Sequence, residues 1–189
     1  VGTYKGLVFA TFDPDAPSLE DYLGDFRWYL DCMLDADEEG SELIAGTIKF
    51  VIPMNWKMAA ENFVGDAYHA VWSHDSGTKA MTEGMAFPEL DLTDTFHGSA
   101  NGHGLEFGLD GIGDIILLGR PKVTEYFMTV VKPQMEKRLG KLRSEIFGSI
   151  ASATVFPNLS YLPGISTFRT WLPKGPGHTE VRTWTILNK

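Results

Sequence analysis

The chain carries one cysteine, Cys32, among its 189 residues. A lone thiol excludes an intrachain disulfide, a zinc site built on several cysteines and an iron–sulfur cluster held by this chain alone. A reducing, cytoplasmic setting is therefore expected. Basic side chains are also scarce: 16 Lys and Arg stand against 25 Asp and Glu, for a formal charge of −9. Affinity for nucleic acid rests on clustered cations that displace counterions, so no nucleic-acid partner is expected. No apolar run approaches the roughly 18 residues needed to cross a bilayer, and no charged-then-apolar leader opens the chain, so no membrane role is expected either. What is present is 43% hydrophobic and 12% aromatic side chains, enough for one globular unit with a substantial core. The chain opens at Val1 inside strand-like sequence and stops at Lys189 just after another such stretch. It is expected to be a piece of a longer protein.

Residues 3 to 12, TYKGLVFATF, are rich in β-branched and aromatic residues and end at the turn signal Asp13-Pro14-Asp15, which predicts a strand. Ser18 followed by Asp21 is a capping-box pattern, and Leu19, Tyr22, Leu23, Phe26, Leu30 and Met33 recur at helical spacing, predicting a helix over about 18–35. The acidic cluster from Asp31 to Glu42 reads as a solvated helix end or as a landing site for a basic partner. Residues 43 to 53 predict a strand closed by Pro53. The segment from Asn55 to His74 predicts mostly helix. Residues 75 to 115, dense in glycine, predict a long connection that covers a pocket, with short strands at most. Residues 121 to 150 predict two helical pieces broken near Pro133 and Gly140, with Lys132, Lys137, Arg138, Lys141 and Arg143 on a basic face. The last forty residues predict antiparallel strands separated by Pro163-Gly164 and Lys174-Gly175-Pro176-Gly177. Strands, then helices, then strands without regular alternation predict an α+β fold with an antiparallel sheet rather than a doubly wound one.

Four chemistry-bearing residues fall within a short span: Asn62, Asp66, His69 and His74. Offsets of four and seven bring Asn62, Asp66 and His69 onto one stripe of a helix. His69 and His74, five apart, would diverge by about 140° on a regular helix, so both reach one point only where the helix ends or distorts. Ser73-His74-Asp75-Ser76-Gly77 supplies such an ending. Two imidazoles and a carboxylate suit non-haem iron and leave positions open for oxygen and substrate. Zinc proteases space their histidines by four around a glutamate, which this stretch does not do. Satisfied structural histidines are the alternative reading. His97, His103 and His178 lie in glycine- or proline-rich turns and read as surface or loop residues. Cys32 reads as a small buried side chain. Tyr68 and Trp72 read either as guards of a metal or as helix packing.

The wider string shifts the balance between these. Asn55-Trp56-Lys57, Glu61-Asn62-Phe63, Gly65-Asp66-Ala67-Tyr68-His69 and then His74 closely resemble the iron-binding segment of the large (alpha) subunit of Rieske-type aromatic ring-hydroxylating dioxygenases. The likeness extends over most of the chain, through Tyr4-Lys5-Gly6-Leu7, Asp21-Tyr22-Leu23-Gly24, Val155-Phe156-Pro157-Asn158, Arg169-Thr170-Trp171 and Gly175-Pro176. It is strongest to the naphthalene, biphenyl and polycyclic-hydrocarbon group.

The resemblance implies a helix-grip (START/Bet v1-like) antiparallel sheet with helices. Residues 1–12 would be the exit strand of an upstream Rieske domain, and residues 13–189 part of the catalytic mononuclear-iron domain. It implies that His69 and His74 hold Fe(II), that Asp66 bridges to the Rieske-cluster histidine of a neighbouring subunit and admits electrons, and that Asn62 lies near the iron. A carboxylate three residues before His69 also suits an imidazole N–H that the metal does not need. Phe63, Ala70, Asn158 and Leu159 are implied as pocket wall, with plain core packing the equal alternative. The third ligand, an aspartate, would fall beyond Lys189; Asp110 and Asp114 do not replace it. The [2Fe-2S] Rieske cluster, with its Cys-x-His and Cys-x-x-His pairs, would lie before Val1. The implied activity is insertion of both atoms of O2 into an aromatic hydrocarbon to give a cis-dihydrodiol. Electrons would come from NAD(P)H through a reductase and a ferredoxin. The implied assembly is a homotrimer of large subunits, with or without small beta subunits. A Rieske-type monooxygenase or demethylase and a metal-free helix-grip binder of apolar ligands are the competing readings. The isolated 189-residue chain is expected to be inactive.

Overall fold

In the computed structural model, the described residues are 1–66, 69–81, 95–108 and 121–188. The first segment is a hairpin, β1 (Gly2–Tyr4) with β2 (Leu7–Phe9), rather than one strand. Lys5 and Gly6, at φ of 48° and 84°, form a two-residue turn whose positive φ values match the twist of the paired strands. The predicted 18–35 helix divides at Gly24 into α1 (Leu19–Leu23), a 3₁₀ turn over Gly24–Phe26, and α2 (Arg27–Leu34). Ser18 Oγ accepts the Asp21 N–H at 3.1 Å, the cap foreseen from sequence.

The strands β3 (Ser41–Leu43) and β4 (Ile48–Ile52) lie end to end along one edge of the last strand. Next come α3 (Trp56–Gly65), α4 (Ala70–Ser73) and α5 (Asp75–Met81). The expected glycine-rich connection instead contains α5 and a hairpin of β5 (Thr95–Ala100) with β6 (His103–Gly108); the rest of it lies outside the described residues. The glycines serve close packing. A Cβ at Gly104 would stand 2.4 Å from Val64 Cγ1 of α3, so β6 approaches that helix only as bare backbone.

From residue 121 the chain forms α6 (Pro121–Tyr126), a π-helical turn (Phe127–Val131), α7 (Lys132–Leu139) and α8 (Lys141–Ser149). The helix passes Pro133 without the expected break, because the π turn next to it rearranges the backbone bonding where proline has no N–H to give. It does break at Gly140, at φ 84°. The chain closes with β7 (Ile150–Val155), β8 (Leu159–Leu162), β9 (Thr167–Pro173) and β10 (Thr179–Asn188). Among the described residues, eight strands form one antiparallel sheet in the order β3-β10-β9-β8-β7-β6-β5, with β4 also on β10.

Strand alternation gives this sheet two packed faces. On one, Leu105, Ala153, Val155, Tyr161, Phe168 and Ile186 meet Leu23, Phe26, Leu30, Met33 and Leu34 of α1–α2. On the other, Trp171 and Val181 meet Ala59, Ala60 and Phe63 of α3. The fold is mixed helix and antiparallel sheet, with α3 gripped against the sheet. The acidic and basic clusters meet within the chain: Arg138 of α7 reaches Asp35 at 2.6 Å, and Lys5 of the hairpin reaches the same carboxylate at 3.0 Å.

Candidate metal centre at the end of α3

The start of α3 is fixed by Asn55, whose Oδ1 accepts the Lys57 N–H at 3.0 Å while its Nδ2 donates to Pro176 O at 2.9 Å. Alanines at 59 and 60 let the sheet come close enough for a side chain to reach helix backbone. Trp171 Nε1 donates to Ser160 Oγ at 2.7 Å, Ser160 and Thr154 hydroxyls share a 2.8 Å bond, and Thr154 Oγ1 donates to Ala60 O at 3.2 Å. These buried groups are thus satisfied in series, which locates α3 both along and above the sheet.

The helix stops at Gly65, and Asp66 is its C-cap at φ −122° and ψ 47°. His69 follows in a short turn before α4, and His74 sits at the junction of α4 and α5. With the helix interrupted at these points the two imidazoles converge: Nε2 of His69 is 3.0 Å from Nε2 of His74, and the ring centroids are 4.9 Å apart. The Nδ1–H of His69 donates to the backbone carbonyl of Asp66. That bond assigns the proton to Nδ1 and leaves the Nε2 lone pair free. The Asp66 carboxylate stands further off, with Oδ2 3.7 Å from His69 Nδ1. Asn62 Nδ2 lies 3.3 Å from that carboxylate and 3.2 Å from His69 Nδ1. Burial, then the neighbouring His69, lower the His74 pKa from its ordinary value, which favours the neutral imidazole that a metal requires.

This donor set fits part of a non-haem iron site. Two metal–imidazole bonds of about 2.1 Å at a right angle separate their nitrogens by about 3.0 Å, the Nε2 separation seen between His69 and His74. Among the described residues no group of three or more His, Cys, Asp or Glu is arranged to hold a metal ion. An open cleft of about 540 Å³ runs beside the site, lined in part by Trp56, Asn62, Val64, Asp66, Thr154 and Phe156.

The structure brings Asn62, Asp66, His69 and His74 together. Of the four pocket candidates, Phe63, Leu159 and Asn158 have described surroundings. Phe63 is 7% exposed and packs edge-on against Trp171 at 5.5 Å, within the α3–sheet core. Leu159 packs against the α1–α2 cluster, while its neighbour Ser160 bonds to Trp171 on the α3 side. Asn158 gives its carbonyl to the Trp171 N–H at 3.0 Å. The Ala70 side chain, Tyr68, Asp110 and Asp114 lie outside what is described. Trp72 is 84% exposed.

Two residues escaped the sequence reading. His103, read there as a surface or loop residue, is 1% exposed on β6. Its Nε2 donates to Tyr22 O at 2.9 Å and its Nδ1 accepts the Phe156 N–H at 3.0 Å. Its partners lie far away along the chain, so a glycine-flanked histidine looked exposed. Glu106, 4% exposed, lies opposite His97 on the β5–β6 hairpin. The signal available for it was its position among apolar residues, His103 to Phe107.

Beyond the end of a helix gripped by the sheet, two imidazoles and a carboxylate converge, an arrangement suited to the catalytic domain of an oxygenase. Comparison with known families agrees: residues 19–189 match the ring hydroxylating alpha subunit (catalytic domain) family, and the chain belongs to it. It is 42% identical over its whole length to the biphenyl 2,3-dioxygenase alpha subunit of Rhodococcus jostii, covering 42% of that protein. It is likewise 42% identical to a benzene 1,2-dioxygenase alpha subunit of Pseudomonas putida, covering 43% of it. Among solved structures, a naphthalene 1,2-dioxygenase variant bound to phenanthrene superposes with a TM-score of 0.81 at 33% identity, over 100% of this chain and 43% of that one. The chain thus spans about two fifths of the length of the relatives it matches.

Proposed function

We propose that this chain is the iron-binding part of the terminal oxygenase of an aromatic ring-hydroxylating dioxygenase. The observation that carries the reading is the 3.0 Å approach of His69 Nε2 to His74 Nε2, with Asn62 and Asp66 beside them. In this reading the two Nε2 atoms are iron ligands and a downstream aspartate is the third. Iron, when bound, supplies the activation of O2 for attack on the ring. The residues of this chain do the rest. The Asp66 carbonyl, by taking the Nδ1 proton of His69, keeps that ring in the tautomer and orientation a ligand needs. The Asp66 carboxylate, partly exposed at the helix end, faces outward to the Rieske-cluster histidine of a neighbouring large subunit and carries electrons in; Asn62 holds it from behind. A ferredoxin and an NAD(P)H-dependent reductase supply the electrons, and the large subunits form a trimer, with or without beta subunits. Residues 1–12 join the domain to the upstream Rieske domain, whose [2Fe-2S] cluster completes the pathway. An aromatic hydrocarbon is the substrate, a cis-dihydrodiol the product, and the cytoplasm the location.

His69→Ala in the full-length oxygenase tests this. Iron content is expected to fall by at least about tenfold, with dihydrodiol formation lost. Retention of bound iron and iron-dependent turnover would sink the assignment and favour the metal-free binder of apolar ligands.

A further inference from the structure

The last carbonyls of a helix have no partner within it, and two of those of α3, on Phe63 and Val64, are held from the sheet. Ser152 Oγ lies 3.2 Å from Phe63 O and 2.8 Å from Glu106 Oε1, all three groups buried. Directly across the hairpin from Glu106, His97 Nδ1 donates to Val64 O at 3.3 Å. The next residue but one after Val64 is Asp66, the C-cap from which the His69 turn departs.

We propose that Glu106 and Ser152, with His97 beside them, are positioning residues for the metal centre: they hold the Phe63 and Val64 carbonyls and so fix where Asp66 and His69 leave α3. The proposal rests on the iron-site reading above.

Hydrogen counting supports the role. A serine hydroxyl has one proton, so Ser152 cannot donate to Phe63 O and to an ionised Glu106 together. A protonated Glu106 resolves this by donating to Ser152 Oγ, which then donates to the helix. Burial raises the Glu106 pKa and Ser152 opposes it, with His97, His69 and Asp66 the other titratable groups facing it. Among the described residues, Oε2 of Glu106 has no hydrogen-bond partner.

The test uses the full-length oxygenase and three variants, Ser152→Ala, Glu106→Gln and Glu106→Leu. Each is loaded with Fe(II) and read by iron content, by the electron paramagnetic resonance spectrum of the ferrous site with nitric oxide, and by kcat and KM. In S152A and E106L, kcat is expected to drop about tenfold, with KM within about twofold and an altered nitrosyl spectrum. E106Q, which keeps a partner for Ser152 Oγ, is expected to match the parent in both. A parent-like spectrum in S152A overturns the proposal, even if its melting temperature falls, since that marks a purely structural bond. Equal change in E106Q and E106L also overturns it. If E106L does not fold, S152A against E106Q decides. A parent that binds no iron, or His69→Ala that keeps it, sinks the iron reading instead.

Discussion

At the scale of single residues, His103 shows how burial turns an ordinary side chain into a pH-dependent one. It links α1, through Tyr22 O, to the end of β7, through Phe156 N–H, and the second of these bonds is lost when Nδ1 takes up a second ring proton. Burial lowers its pKa below the ordinary value, the bond to Tyr22 O opposing that shift in part. The unfolded chain therefore takes up a proton near pH 6.5 that the folded chain refuses. The stability His103 contributes is complete above that pH and falls as the solution is acidified towards its folded-state pKa. His103→Gln, which cannot titrate, is expected to be less stable at pH 8 by about 1–3 kcal/mol and to lose less on going to pH 5.5. Urea unfolding at the two pH values measures this; parallel losses in parent and variant would show that His103 has no such role. Cys32 is the quieter case: fully buried, its thiol donates to Trp28 O at 3.3 Å, and burial pushes its pKa to about 12. It is a packing residue, as the sequence reading expected.

At the scale of elements, the contact between α3 and β6 turns on one glycine. Alanine at Gly104 would set its Cβ 2.4 Å from Val64 Cγ1, and a β-branched valine on a helix has no other rotamer to offer. Gly104→Ala is expected to cost about 1–3 kcal/mol, and Val64→Ala in the same chain to recover much of it. A double-mutant cycle by urea unfolding checks this: strictly additive losses would mean that the two do not meet. Elements of this kind show which parts of the fold were legible. Ser18, the i, i+3, i+4 pattern to Met33, and the strands from Ile150 to Asn188 were legible because caps, periodicity and turns are local signals. Asn62, Asp66, His69 and His74 were singled out by the family resemblance of the surrounding string; the single helical stripe expected for the first three is not formed, because α3 ends at Gly65 and the helix is interrupted before His69 as well as after it. Lys5-Gly6 was missed because a two-residue turn inside a β-rich run leaves the pattern unbroken. The β5–β6 hairpin was foreseen only as short strands in a loop, because its glycines look like loop until Tyr29 is placed against Gly98 and Val64 against Gly104. Glu106 and His103 were missed because their partners are brought to them only by the finished sheet.

At the scale of the whole molecule, one sheet serves two cores, and the metal-centre residues sit at the rim of the one built on α3. The α1–α2 side is largely apolar, from Leu23 to Ile186, with His103 a buried polar group that bonds to α1. The α3 side is threaded with Ser152, Thr154, Ser160, Glu106 and Trp171, groups that bond to the helix or to one another. Apolar packing on one face supplies stability, while directional bonds on the other set the placement of α3. Placement alone does not make an oxygenase. The His69 side chain is 25% exposed and that of Asp66 49%, so the site is open to water, and the two histidines have no third ligand among the described residues. Non-haem iron chemistry needs three protein ligands with open positions beside them, an apolar chamber and an electron source. The 189-residue chain, expressed by itself and shown by circular dichroism to be folded, is therefore expected to form no dihydrodiol. Mixed with Fe(II), ferredoxin, reductase, NADH and an aromatic hydrocarbon such as biphenyl, it should leave the hydrocarbon intact, whereas on the proposed function a full-length subunit is expected to convert its own aromatic substrate. Product from the isolated chain, detected by chromatography against an authentic dihydrodiol, would mean that residues 1 to 189 hold a complete site and that the third ligand lies within them.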